Sequence, residues 1–268
     1  MKETITSAKN MRIMYLQSLL QKKYRDREGK FLVEGLRFVQ EALQSGADIE
    51  ELILAAGVLE KNPSFQSIIP DKIPITIIAD QLFKKITDTE TPQGIAALVR
   101  KKEFRAEDLF VVANPFLLII DKVQDPGNLG TIIRTADAAG VTGVALVKGT
   151  ADLYNPKTLR ATMGSVFHVP IINFDSIEEA CHLAKKHGLK LIVTDISKDS
   201  SSYLAVDYSE PVALVVGNEA RGASSFAIEN SDYRVAIKMP GKAESLNVSV
   251  AAGIILFEAA RQRACGQA

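Results

Sequence analysis

Cysteine is nearly absent from this chain of 268 residues: Cys181 and Cys265 are the whole complement, and no CxxC pair brings two thiolates together. That scarcity excludes a disulfide framework and thiolate zinc sites, and it suits a reducing compartment. Histidine is as rare. His168, His182 and His187 do not share the spacing of a metal site, so no metal is expected. No apolar run reaches the roughly 18 residues of a membrane span. The start, Met1-Lys-Glu-Thr-Ile, lacks the apolar core of a secretory signal. A cytoplasmic location without membrane contact is therefore the expectation. Net charge is missing as well, with 32 basic residues against 32 acidic ones, and by itself this counts against a nucleic-acid partner. There is no internal repeat and no low-complexity segment.

What is present is an ordinary globular composition, 47% hydrophobic and 24% charged. A chain of this length buries about three quarters of the surface it exposes when unfolded, enough for one large or two medium domains. Charge is absent only in sum. Residues 1–30 hold Lys2, Lys9, Arg12, Lys22, Lys23, Arg25, Arg27 and Lys30 against Glu3, Asp26 and Glu28. A basic end on a slightly acidic body binds phosphates by releasing their counterions while the body stays neutral. A solvated helix face explains the same cluster.

The periodicity divides the chain in two. Apolar residues near helical spacing predict a helix from Ser7 to about Arg25. After it come a strand at Phe31–Glu34, a helix at Leu36–Gln44, strands at Glu51–Ala55 and Ile75–Ile78, a helix near Gln81–Ile86 and a last strand at Gly94–Val99. This is a small α/β sandwich over residues 1–103, with the charged stretch Arg100–Asp108 as linker. Residues 109–268 then alternate more regularly. Strands are expected near Phe116–Ile120, Gly143–Val147, Val169–Ile172, Lys190–Thr194, Val212–Val216 and Arg234–Ile237. Helices are expected over Asn128–Ala139, Asn155–Met163, Ser176–Lys186 and Asn247–Arg263, with Asn155-Pro156 a cap and first turn, and Gly188 a stop. The pattern is that of a doubly wound, mostly parallel sheet.

Three segments of the second part concentrate polar chemistry where strands end. The run Phe116–Ile120 breaks into Asp121-Lys-Val-Gln-Asp-Pro-Gly-Asn-Leu-Gly-Thr-Ile-Ile-Arg134, and a helix restarts near Asn128. Ligands of open α/β sheets sit beyond the carboxyl ends of strands, so the turn is suitably placed. Arg134, among Ile132, Ile133 and Ala136, needs either a salt-bridge partner or a solvent-filled cleft. Six residues from Asn128, it is turned well away on the helix surface. The apolar run Val212–Val216 ends in Gly217-Asn-Glu219, a carboxylate that is either ligand-facing or a turn residue in water. The stretch from Val235 passes a Pro240-Gly241 turn and reaches Ser245 and Asn247 at the start of a long apolar helix. One helix cap explains one of these two residues; a polar site explains both.

Taken together, Asn128-Leu-Gly-Thr-Ile-Ile-Arg134, Leu214-Val-Val-Gly-Asn-Glu219, and Ile237-Lys-Met-Pro-Gly241 with Ser245-Leu-Asn-Val-Ser249 resemble the three motifs of the SpoU-type (TrmH-like) RNA 2′-O-ribose methyltransferases of the SPOUT superfamily. Lys9-Asn10, Lys23-Tyr-Arg25, Phe31-Leu-Val-Glu-Gly35 and Thr91-Pro-Gln-Gly-Ile95 resemble the N-terminal substrate-binding domain attached to many such enzymes. Alternation alone draws an unknotted sheet. The resemblance implies instead a deep trefoil knot in the C-terminal third, with S-adenosylmethionine bent among its loops, and a homodimer joined through the final helix.

The resemblance places the cofactor at Thr194, Gly217, Ile237, Met239, Gly241 and Leu246, where core packing accounts equally well for Ile237 and Leu246. It assigns the acceptor side to Asn128, Arg134, Glu219, Ser245 and Asn247, all of the family's residue types. A guanidinium stays protonated in proteins, so Arg134 is better cast as a fork on the target phosphate and developing alkoxide than as a base. Lys9, Arg12, Lys22, Lys23, Arg25 and Arg27 are the expected RNA contacts. Ribosomal RNA is the expected substrate, from the type of the appended domain. Three other readings stay open: a transfer-RNA methyltransferase, a non-catalytic RNA-binding protein, and a nucleotide-dependent oxidoreductase. The last is opposed by Gly127-Asn-Leu-Gly130, one glycine short of a dinucleotide fingerprint, and by Lys148 where an acid would follow Val147.

Overall fold

The alternating signals become two separate sheets in a computed structural model that describes residues 4–197 and 199–265. Lys2 and Glu3 of the basic end lie outside the described residues. One unit comprises Met1–Lys102 and Tyr154–Phe167, the other Glu103–Leu153 and His168–Ala268.

The first unit is built on β1 (Lys30–Glu34), β2 (Ile49–Ala55), β3 (Ile75–Ile78) and β4 (Ile95–Arg100), in the order β1-β4-β2-β3. β4 runs antiparallel to β1 and β2, and β3 parallel to β2. The central strands are apolar along their length, with Leu52–Ala55 and Ile95–Val99 buried, whereas edge strand β1 buries only Phe31 and Val33. Around them lie α1 (Met11–Ser18), α2 (Lys22–Glu28), α3 (Leu36–Gln44), α4 (Val58–Lys61), α5 (Pro63–Gln66) and α6 (Asp80–Ile86). The N-terminal helix expected as one piece is two. Its break at Leu19–Gln21 leaves carbonyls without intrahelical partners, and the Arg25 guanidinium turns inward to donate to those of Leu19 and Leu20, each at 2.7 Å. Periodicity had no grip on α4 and α5, which are a single turn each.

The second unit holds β5 (Phe116–Ile120), β6 (Gly143–Val147), β7 (Ile171–Phe174), β8 (Lys190–Thr194), β9 (Ser201–Ser202), β10 (Val212–Val216) and β11 (Tyr233–Ala236). Their order is β7-β6-β5-β10-β8-β11-β9, and every neighbouring pair is parallel. All carboxyl ends therefore lie along one edge. Its helices are α7 (Pro126–Ala138), α9 (Ile177–Lys186), α10 (Ser225–Glu229) and α11 (Val248–Cys265), while α8 (Pro156–Thr162), between α7 and α9 in the chain, belongs to the first unit. β5, β6 and β10 are buried throughout, as their unbroken apolar runs require. β7 starts two residues later than expected, while β9 and α10 are too short to leave a periodic signal.

Two details correct the sequence reading. α7 begins at Pro126, not near Asn128. Asp125 caps it by accepting from the Asn128 amide N–H at 2.8 Å, and proline presets the first turn. α8 has the expected Asn155 cap, yet it does not cover the second sheet. It lies in the first unit, where Leu159 is 2% exposed within the core of Ile13, Phe31, Val33 and Ile86. Tyr154 and Phe167 on either side of it meet Phe31 and Phe38 at ring distances of 4.6 and 5.7 Å. Apolar side chains, not position in the chain, decided where this segment went.

Candidate active site

Three loops leave the sheet edge after β5, β10 and β11, and one polar chain joins them. Glu219 is its anchor. Oε1 accepts from the Asp125 N–H and the Asn128 side-chain amide, both at 3.1 Å, and Oε2 accepts from the Gln124 N–H at 3.1 Å. Burial alone would raise the Glu219 carboxyl, but the Asn128 amide and the backbone N–H groups of Asp125 and Gln124 outweigh it and hold the group below the usual carboxylate range. The chain continues from Asn128, whose Oδ1 accepts from the Asn247 amide at 3.0 Å. Asn247 in turn caps α11, its Oδ1 accepting from the Ser249 N–H at 2.8 Å and the Ser249 hydroxyl at 2.6 Å. Asn247 thus caps α11 and also donates across to Asn128, which its two-ended amide permits. Glu219 is a loop clamp.

The loop after β10 is closed by its own backbone. Asn218 and Gly222 exchange N–H···O bonds of 2.9 Å, and the Asn218 side chain accepts from the N–H groups of Ala220 and Arg221. A Cβ on Gly217 would stand 2.1 Å from the Ala223 nitrogen, so nothing larger than glycine fits. Behind it Asp121, 1% exposed, accepts from the Ser224 N–H at 2.7 Å and pins the loop to the end of β5.

The loops after β8, β10 and β11 wall a cleft of about 320 Å³. Thr194, Gly217, Ile237, Met239 and Leu246 line it, as do Glu219 and Ser245; Gly241, in the exposed turn, does not. The Thr194 hydroxyl is spent on the Val215 carbonyl at 3.1 Å, leaving its methyl for the cleft. Ile196, Ala223, Ile228, Val248 and Ile255 complete an apolar slot that sequence reasoning missed, because they look like core residues. Asp195 was also missed. It lines the cleft, and its carboxylate accepts from the Ser197 hydroxyl at 2.6 Å.

Arg134 is not drawn into this network. It is exposed and forms no hydrogen bond or ion pair among the described residues, so its cleft is solvent and its fork is free for a ligand. Ser245 is likewise exposed and makes no hydrogen bond among the described residues, and it does not orient Arg134. In the other unit, Lys9 and Lys23 are exposed, Lys22 pairs with Asp26, and Arg27 pairs with Glu28 and stacks on Tyr24. Arg12 is held by Glu51. Arg25, expected on the RNA-facing surface, is 3% exposed and committed to backbone carbonyls, so it cannot reach a phosphate. Among the described residues no cluster of His, Cys, Asp and Glu is arranged for a metal, and no helix is long and apolar enough to cross a membrane.

Residues 115–257 match the SpoU rRNA Methylase family, and residues 10–97 match the MRM3-like substrate binding domain. Among curated proteins, the 23S rRNA (guanosine(2553)-2′-O)-methyltransferase RlmP of Bacillus subtilis is 39% identical, across 94% of this chain and 97% of that protein. The 23S rRNA (uridine(2479)-2′-O)-methyltransferase of Streptomyces viridochromogenes is 34% identical, across 97% of this chain and 93% of its own length. Among solved structures, the AdoMet-bound rRNA methyltransferase of Sinorhizobium meliloti superposes with a TM-score of 0.85 at 34% identity, covering 97% of each chain.

Proposed function

The chain belongs to the SpoU rRNA methylase family, and from that premise we propose that it transfers the methyl group of S-adenosylmethionine to a ribose 2′-hydroxyl of ribosomal RNA. The observation that carries this is the hydrogen-bonded chain Glu219–Asn128–Asn247, which ties the loops after β10 and β11, two walls of an apolar cleft, to the start of α7. The cleft fits the cofactor: Ile196, Ile237, Leu246 and Val248 offer an apolar slot for adenine, and Gly217 lets the loop backbone approach closely. The bound cofactor supplies an electrophilic methyl on a sulfonium, and the protein's task is alignment of the acceptor oxygen behind it.

Each residue's part follows from what it can donate or accept. Asn128, fixed by Glu219 and Asn247, sets the mouth of the cleft. Arg134, cationic and unpartnered, grips a phosphate of the target and stabilises negative charge on the 2′-oxygen as its proton passes to solvent water at this exposed position. Ser245 presents a free hydroxyl at the cleft to the ribose.

In this reading residues 1–103 bind the substrate and residues 109–268 carry the chemistry. Lys9, Lys22, Lys23 and Arg27 form the RNA-facing set, a positioning role that carries no sequence information by itself. The C-terminal third is knotted; the late strands β10 and β11 lie between strands formed earlier, β10 between β5 and β8, and β11 between β8 and β9, which supports it. Two copies pair through α11, a reading supported by the exposure of Val250 and Phe257 on that helix. No metal takes part, and the protein works in the cytoplasm.

The test is incubation with methyl-labelled S-adenosylmethionine and either unmodified ribosomal RNA or transfer RNA, followed by digestion to nucleosides. Label in a 2′-O-methylnucleoside from ribosomal RNA is expected. Label from transfer RNA alone would overturn the substrate, and absence of cofactor binding would overturn the enzyme.

A further inference from the structure

A second cleft, of about 430 Å³, shares Asn218 and residues 220–223 with the cofactor cleft but differs from it in the rest of its lining. Besides Ala220, Gly222 and Ala223, its walls carry the polar residues Asp121, Lys122, Gln124, Asn218, Arg221 and Ser224. Asn218 is fully engaged, donating to the Lys122 carbonyl at 2.8 Å and accepting from two backbone N–H groups. The side chains of Lys122, Gln124 and Arg221 are exposed, and none forms a hydrogen bond or ion pair among the described residues. Three free donor groups, two of them cationic, thus surround one hollow.

Two further observations point to a ligand. The carboxylate of Asp121, which lines the cleft and is 1% exposed, uses Oδ2 for the Ser224 N–H, while Oδ1 and the Ser224 hydroxyl have no partner. Buried polar atoms in folded proteins are as a rule hydrogen-bonded, so two unpartnered ones in the lining of a single cleft set it apart as a polar site. Lys122 is also held with φ at +62°, a left-handed backbone uncommon for a residue with a Cβ. Its N–H donates to the Thr150 hydroxyl at 3.1 Å and its carbonyl accepts from Asn218, so the surroundings enforce the conformation.

We propose that this second cleft seats the acceptor nucleotide of the RNA, with Lys122 and Arg221 gripping its flanking phosphate. Paired cations of this kind suit phosphate, the lysine as a point charge and the arginine as a planar fork. The Gln124 amide, with both a donor and an acceptor, lines the same cleft and suits the edge of a base. A methyl donor and its acceptor must meet, and the two clefts border one another along the loop at Asn218 and residues 220–223. The volume falls in the roughly 300–1,000 Å³ range of small-ligand sites, sufficient for one nucleotide turned out of its strand. The proposal rests on the ribosomal RNA methyltransferase reading and names the residues that would hold its substrate.

The experiment measures binding and turnover separately, on the full chain. Lys122→Asn, in which asparagine tolerates the left-handed backbone, and Arg221→Ala are compared with wild type and with Lys186→Ala on α9. A ribosomal RNA fragment is titrated at several salt concentrations, S-adenosylmethionine is titrated alone, and methyl transfer is followed at saturating cofactor. Each cleft variant is expected to weaken RNA binding about tenfold and to flatten the salt dependence by about one unit of slope, with cofactor affinity unchanged in Lys122→Asn, whose residue lies outside the cofactor cleft. RNA affinity within twofold of wild type in both variants would overturn the proposal. So would a parallel loss of cofactor affinity in Lys122→Asn, which would mark damage to the shared loop. A wild type that binds RNA through Lys122 and Arg221 but transfers no methyl would uphold the cleft and defeat the enzymatic reading instead.

Discussion

Arg134 is the residue where chemistry and geometry meet most simply. An exposed guanidinium without a protein partner has its donors free, and only the planar fork meets a phosphate at two points. Arg134→Ala is expected to abolish methyl transfer and Arg134→Lys to retain at most a trace, with cofactor binding intact in both. Near-wild-type turnover in the lysine variant would defeat the fork. Glu219 acts differently, as an acceptor at the junction of two loops. Its carboxyl is held below the usual range, so its contribution is present above the ordinary carboxylate pKa and lost as pH falls through the depressed value in the folded protein. Cofactor affinity should therefore stay flat from neutral pH into the ordinary carboxylate range and fall only below it. Glu219→Gln should weaken affinity at every pH, because its amide would face the Gln124 N–H donor to donor. Calorimetric titration across pH distinguishes the two behaviours. These residue identities were legible in the sequence; their partners were not. Nothing local to Asn128 says that its amide meets Glu219 on one side and Asn247 on the other.

Among the elements, α11 and α8 carry the sharpest expectations. Asn247 caps α11 and also ties it to α7, so Asn247→Ala should cost about 1 kcal/mol through the lost cap and should lower turnover besides, through a loosened Asn128. Asn247→Asp separates the two effects: it keeps the cap but replaces the amide donor by a second acceptor, so it should recover stability and not activity. Thermal melts and single-turnover rates measure both. α8 has no part in the site. Leu159→Ala should destabilise by about 2–5 kcal/mol through the cavity left in the core, an effect hydrogen exchange should find in β1 and α1 and not in β10 or α11. The helix itself was readable from Asn155-Pro156, while its destination was not. Capping is settled by adjacent residues, whereas Tyr154, Leu159 and Phe167 find Phe31 and Phe38 only after the chain has folded back. The same distinction explains α1 and α2, where periodicity continued through a break that Arg25 stabilises from six residues away.

For the whole molecule, the exposed apolar side chains of α11 bear on assembly. Val250 and Phe257 are each about half exposed on a helix whose other residues Ala252, Ile255, Leu256 and Ala259 are buried. If two copies pair there, Phe257→Glu should yield a monomer by sedimentation, with the fold retained by circular dichroism. Wild type sedimenting as a monomer would remove the pairing from the functional reading. The sequence by itself determined the α/β class, the apolar strands from Phe116–Ile120 to Val212–Val216, the caps at Asn155 and Asn247, and the positions of the three motifs. These depend on periodicity and on neighbours a few residues apart, and such signals survive in a linear text. Tertiary structure alone decided that β10 enters between β5 and β8, that residues 154–167 leave their sequence neighbours for the first unit, and that Arg25 turns inward. It also decided that an orphaned carboxylate oxygen and three free donors converge on one cleft. Each of these is a contact between residues distant in the chain, and such contacts are selected by burial and hydrogen-bond satisfaction across the whole fold, which no local pattern encodes.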